Sequence, residues 1–159
     1  MSSEMRLYWD SDVFIDRIEE TPGRIHRLRP ITDAAEHGHV IIVTSAFTMV
    51  EVVKLKKLGL LDEETEELVT KFFENEYINI RNLDRFVSER ARPIVRKCGV
   101  KPPDAVHIAT AILMKAEGRV EVMQTFDAGL IKLSGLVEVD ELKIEEPPEP
   151  EATKTEPTR

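Results

Sequence analysis

The sequence predicts an α/β fold of three layers, α/β/α, around a central parallel sheet of four to five strands. Short apolar runs rich in β-branched residues, such as His39–Val43, lack in–out alternation and read as strands covered on both faces. Segments with apolar residues at helical spacing separate them. Strand and helix alternate along the chain, which implies right-handed crossovers between parallel strands.

Arg6–Trp9 reads as a first buried strand, ended by Asp10. Thr21 and Pro22 offer a cap and a first helical residue, for a helix that runs to a left-handed cap at Gly38. His39–Val43 is a second strand. A helix is expected from Ser45 to Gly59, with Val50, Val53 and Leu58 facing inward. Asp62 caps the next helix, whose inward set is Leu68, Phe72 and Phe73, and Tyr77–Ile80 is a third strand. Asp84–Cys98 is helical, kinked or broken at Pro93. Pro102 and Pro103 open a helix over Asp104–Ala116, closed by Gly118. Val120–Thr125 is a fourth strand, a short helix follows Asp127, and Val137–Val139 reads as an edge strand. Trp9, Phe14, Phe47, Met49, Phe72 and Phe86 are expected in the core.

Residues 1–144 form one expected domain, and 145–159, rich in Pro, Glu and Thr, an expected disordered acidic tail. With 42% hydrophobic and 33% charged residues the composition is that of a soluble globular protein, and no apolar run reaches the ~20 residues that span a bilayer. Met1–Arg6 lacks the basic and apolar regions of a signal peptide, and the single Cys98 suits a reducing cytoplasm. Cys98 also excludes an internal disulfide framework and, without histidines at ligand spacing, a structural zinc site. The net charge of −8 excludes a broad electropositive surface. The tail supplies five glutamates against Lys154 and Arg159, a net −3, leaving −5 on the body. No Gly-x-x-x-x-Gly-Lys loop or dinucleotide fingerprint is present.

Four carboxylates, Asp10, Glu51, Asp104 and Asp127, each lie where a strand runs into a helix or a helix begins. An alternating α/β fold lines the carboxyl ends of its strands along one edge, so these residues can converge. Two unit charges ~4 Å apart repel by ~4 kcal/mol at an effective dielectric near 20. A hard divalent cation, Mg²⁺ or Mn²⁺, is the natural neutraliser, and the chemistry it implies is phosphodiester hydrolysis. Asp104 alone is equally readable as a helix-start aspartate.

The segments Leu7-Tyr8-Trp9-Asp10-Ser11-Asp12, Thr44-Ser45 through Glu51, Pro102-Pro103-Asp104-Ala105-Val106-His107 and Gln124-Thr125-Phe126-Asp127 come in this order over nearly the whole ordered chain. Together they resemble the PIN-domain nucleases, especially the toxin component of VapBC-type modules. The resemblance implies a PIN-like fold and a Mg²⁺- or Mn²⁺-dependent endoribonuclease cutting single-stranded RNA, the toxin of a type II module. Asp10, Glu51, Asp104 and Asp127 would be its catalytic, metal-holding quartet. It also implies a cognate antitoxin and a homodimer. Departures from the usual pattern are Asp12, the bulky Phe126 and the acidic tail.

Around the quartet, Ser11, Asp12, Thr125 and His107 are candidates to orient the carboxylates. Asp12 reads alternatively as a helix cap, Ser11 and Thr125 as turn residues, and His107 as an RNA contact or a packed, hydrogen-bonded core residue. Lys54, Arg96 and Lys101 are candidate RNA contacts or parts of solvated helix faces. Two other functions stay open. One is a PIN-like module that binds RNA or protein without turnover. The other is a haloacid-dehalogenase-like phosphatase with Asp10 as nucleophile and Asp12 as general acid.

Overall fold

A computed structural model describes residues 4–57 and 59–151. In chain order the elements are β1 (Met5–Trp9), α1 (Ser11–Ile18), α2 (Ile25–Glu36), β2 (Val40–Ser45), α3 (Ala46–Glu51), β3 (Lys54–Leu55), β4 (Gly59–Leu60), α4 (Glu63–Phe73), β5 (Ile78–Arg81), α5 (Arg85–Cys98), α6 (Pro102–Ala116), β6 (Val122–Gln124), α7 (Ala128–Ile131), a 3₁₀ turn over Val137–Val139, and β7 (Ile144–Glu145). Five strands form one parallel sheet in the order β5-β2-β1-β6-β7, and β3 pairs with β4 in a small antiparallel hairpin.

Pleating sends alternate residues of β1 to opposite layers. Tyr8 joins Val43, Ile94, Ile108, Met123 and Leu130 under α5, α6 and α7. Leu7 and Trp9 join Phe14, Leu28, Ile42 and Phe73 under α1, α2 and α4. The sheet is thus buried on both faces, which is why its strands read as unalternated apolar runs. The chain moves outward from β1 through β2 to β5, then returns to β6 on the other side of β1. That reversal puts a topological switch point, where such folds form their crevice, between the carboxyl ends of β1 and β6.

Several local expectations are corrected. Thr21 caps no helix: its hydroxyl donates to Asp16 at 2.9 Å, and α2 starts only at Ile25. Gly38 does take the left-handed conformation, with φ +82°. The helix expected from Ser45 to Gly59 lasts six residues, ends at Glu51 and gives way to the β3–β4 hairpin. Val52 and Leu55 are buried there while Val50 and Val53 are exposed; Leu58 lies outside the described residues. In α4, Val69 and Phe73 face the core and Leu68 is exposed, as are Met49 and Phe86 elsewhere. α5 runs unbroken through Pro93. Val137–Val139 is a 3₁₀ turn, and the edge strand is β7.

The boundary expected at 144/145 falls inside β7. Beyond it Pro147 is buried, and Glu146 and Glu149 pair with Arg27 of α2 at 3.2 and 2.6 Å. Residues 152–159 of the expected tail lie outside the described residues. Among the described residues no helix is long and apolar enough to cross a membrane.

Asp16 of α1 is fully buried, yet charged groups surround it: Arg24 Nη1 at 2.7 Å, Lys56 Nζ at 3.3 Å and the Thr21 hydroxyl. Neighbouring Glu19 accepts from the backbone N–H groups of Lys56 and Lys57, so α1 anchors the hairpin. Hydrogen bonds to a buried charge contribute about 1.5–3 kcal/mol each. Asp16→Asn should therefore lower unfolding free energy by about 2–3 kcal/mol in a urea titration. An unchanged midpoint would mean that Asp16 does not stabilise the fold.

Candidate active site

All four singled-out carboxylates come from the carboxyl edge of the sheet or the helices that begin there. Asp10 ends β1 and caps α1, its Oδ1 accepting from Val13 N at 3.2 Å. Asp127 follows β6 and caps α7, its Oδ1 accepting from Gly129 N at 2.8 Å. Glu51 ends α3, the helix that leaves β2, and Asp104 sits in the first turn of α6, where the dipole favours negative charge. Because β1 lies between β2 and β6, the strand order itself brings these elements together.

Side-chain bonds tie the end of β1 to both neighbouring strands. The Thr125 hydroxyl donates to Asp10 Oδ2 at 2.6 Å, and Trp9 Nε1 donates to Gln124 Oε1 at 2.8 Å. On the other side Thr44 Oγ1 donates to the Trp9 carbonyl at 2.7 Å and lies 2.7 Å from Thr48 Oγ1 in α3. His107, one turn after Asp104, is only 2% exposed and lies between Tyr8 and Glu51. The contacts are satisfied when Nδ1 accepts from the Tyr8 hydroxyl at 2.7 Å and Nε2–H donates to Glu51 Oε1 at 2.6 Å. Burial, then the charge of Asp10, push the Tyr8 phenol well above its ordinary range, so it stays a donor.

The expectations about the surrounding residues divide. The Thr125 hydroxyl donates to one oxygen of Asp10. His107 holds Glu51 and is also a packed core residue; its burial removes it as an RNA contact. Asp12 is exposed in the first turn of α1, and the cap it was expected to provide comes from Asp10. Ser11 is buried, with no hydroxyl–carboxylate bond found among the described residues. Lys54 is exposed on β3, and Lys101 is exposed at the start of α6. Arg96 lines a cavity of about 350 Å³ with Arg92, Val95, Pro102 and Val106. None of the three touches a quartet carboxylate among the described residues.

Sequence reasoning missed Arg24. Its guanidinium lies 4.5 Å from the centre of the Phe126 ring, a cation–π contact, while Nη1 holds Asp16. Phe126 sits between Thr125 and Asp127, so this contact buttresses the loop that carries both. A separation of 102 positions leaves no local signal for it.

Electrostatics at the edge reflect burial and like charge. Burial holds the Asp10 carboxyl up at about 6, with Asp12 adding to it and with His107 and the Thr125 bond opposing. Asp104 is also raised, first by burial and then by Asp127, Glu51 and Asp12. Among the described residues no three His, Cys, Asp or Glu side chains meet in a metal-holding arrangement. Glu51 is turned to His107, Asp127 to Gly129, and Asp10 to Thr125 and Val13. The donor set still suits a hard cation: it is all oxygen, each carboxylate keeps further lone pairs, and Asp104 has no hydrogen-bond partner among the described residues.

A family model for the PIN domain matches residues 7–136, most of the chain. The chain belongs to the PIN-domain family. Solved structures with this PIN fold include a toxin–antitoxin complex from Klebsiella pneumoniae, 22% identical, covering 91% of this chain and 99% of that one, with a TM-score of 0.58. VapBC2 from Rickettsia felis bound to a DNA fragment from its promoter is 16% identical, covers 89% and 98%, and has a TM-score of 0.60. Mycobacterium tuberculosis VapC20, a toxin that cleaves the sarcin–ricin loop, is 14% identical, covers 77% and 90%, and has a TM-score of 0.56. No curated protein sequence matches the chain. PIN membership sets aside the dehalogenase-like phosphatase.

Raising Asp10 from its ordinary 3.8 to about 6 amounts to roughly 3 kcal/mol against the charged form. The folded state then keeps a proton that the unfolded chain releases between pH 4 and 6, so stability falls as pH rises through that window and levels above it. In EDTA, Asp10→Asn should be more stable than the parent by up to ~3 kcal/mol at pH 7, with the gap closing toward pH 4. Urea titrations at the two pH values check this; a gap that is constant with pH would contradict the electrostatic reading of Asp10.

Proposed function

We propose that this PIN protein is a metal-dependent endoribonuclease of single-stranded RNA, acting in the cytoplasm as the toxin of a type II toxin–antitoxin pair. The observation that carries the reading is four carboxylates from four separate elements along the carboxyl edge of the sheet or at the helices that begin there, in a PIN-domain fold. The toxin role draws support from the similar solved structures, among them a toxin–antitoxin complex and the toxin VapC20. An antitoxin partner and a homodimer belong to the same reading.

Asp10, Glu51, Asp104 and Asp127 are the residues we propose to hold Mg²⁺ or Mn²⁺, which when bound supplies an activated water and charge stabilisation at phosphorus. Each protein group has a task consistent with its bonds. Thr125 fixes one oxygen of Asp10, and His107, itself held by Tyr8, fixes one oxygen of Glu51. Asp104, free of hydrogen bonds among the described residues, is the carboxylate best able to face the substrate. Asp12 and Ser11, at the start of α1, add polarity beside Asp10. Lys54, Arg96 and Lys101 are proposed to engage backbone phosphates.

Asp104→Asn separates cutting from binding. Cleavage of a labelled single-stranded RNA should fall at least ~10²-fold, while binding of the same RNA persists. EDTA should abolish cleavage by the parent protein, and Mn²⁺ should restore it. A parent protein that binds RNA but never cuts it, with either metal present, would establish the non-cutting module instead.

A further inference from the structure

We propose that the acidic segment Glu146–Glu149 is a strap that occupies, within its own chain, a phosphate-binding track on α2, and that RNA displaces it to reach that track. The inference rests on the RNA reading above. The track comprises Arg27, with Arg24 and His26 beside it. Arg24 stacks on Phe126, the residue before Asp127, and so marks the end of the track nearest the carboxylates. Arg24 immediately precedes α2, and Arg27 follows three residues later in the first turn of that helix.

The strap leaves β7 at the carboxyl edge of the sheet and meets this face at once. Glu146 Oε2 lies 3.2 Å and Glu149 Oε1 2.6 Å from the Arg27 guanidinium, and the Pro147 carbonyl accepts from Arg27 Nη1 at 3.1 Å. Glu149 also reaches His26 Nε2 at 2.8 Å. Two carboxylates and a carbonyl on one guanidinium are anionic and dipolar stand-ins for what a nucleic-acid backbone presents. The fit is incomplete: Arg27 Nε is buried with no hydrogen-bond partner among the described residues. A guanidinium fork takes a phosphate through Nε–H and Nη–H together, so the occupant the strap replaces can satisfy a donor that the strap leaves orphaned. Glu146 and Glu149 are themselves exposed, and exposed ion pairs are individually weak, so the strap is displaceable.

This arrangement also explains how a chain of net charge −8 can keep a basic track beside its acidic edge. Lys54, Arg96 and Lys101, the basic residues visible as sequence clusters, lie on other elements. Arg24 and Arg27, with His26 and Arg29, form a basic stretch of their own at the start of α2.

The test measures binding of a fluorescein-labelled oligouridine by anisotropy, in EDTA, over a series of salt concentrations. E146Q/E149Q keeps Pro147 and the chain length, so it removes the charges without deleting the strap. It should bind about three- to tenfold more tightly than the parent. Its log affinity should fall more steeply with log salt, by about 0.7 for each further phosphate that the freed track neutralises. Adding R27A to the double variant should cancel both changes. Parental affinity and salt slope in E146Q/E149Q would overturn the proposal, as would tighter binding that survives R27A, which would reflect net charge alone. Cleavage with Mn²⁺, followed in parallel, keeps the two readings apart. Cutting without any strap effect removes the strap and leaves the nuclease; a strap effect without cutting does the reverse.

Discussion

The hydrogen bond from Thr125 to Asp10 closes the switch point of the sheet, and much of the remaining architecture serves to hold its two ends. It joins the loop after β6 to the end of β1 across the gap that strand order opens. Trp9 to Gln124 braces the same pair of strands one residue earlier, and Thr44 to the Trp9 carbonyl braces β1 to β2. Arg24 against Phe126 and Asp16 presses the Thr125–Asp127 loop from outside. The cost of this order falls on the charge of Asp10, whose carboxyl burial holds at about 6. A buried, raised carboxylate facing further carboxylates opposes its own ionisation, and a bound divalent cation reverses that opposition.

The division of labour around the edge follows from burial. His107 and Tyr8 lie inside the α5–α6 layer and act on Glu51 through fixed hydrogen bonds. Asp127 and Asp12 lie outside and act on Asp104 through space. The inner groups set positions; the outer ones set the field.

Much of this was legible in the sequence because it rests on local grammar. An apolar run followed at once by an aspartate marks both a strand end and a helix cap, and Asp10 and Asp127 are both. Asp62 was readable as a cap, and Asp84, read as the start of a helix, caps α5; both carboxyls sit below the ordinary range because backbone N–H groups bind them. Legibility failed where a distant partner outcompeted the local rule. Thr21 looked like a cap, but buried Asp16 claims its hydroxyl. Val50 and Val53 fit a helical stripe, but the helix ends at Glu51 and the hairpin turns the pattern over. The contacts of Arg24 with Phe126 and of Arg27 with Glu146 and Glu149 gave no local signal, because the partners lie about a hundred residues away in sequence.

The central claim is that four carboxylates from separate elements form one cation site, and a thermal melt against Mn²⁺ concentration tests it most directly. Starting from EDTA-treated protein, the melting temperature should climb with Mn²⁺, by the equivalent of ~2.7 kcal/mol at 100-fold excess over Kd, and should climb much less in Asp10→Asn. A parent protein whose melt ignores Mn²⁺ would contradict the claim, and the metal-dependent nuclease would fall with it.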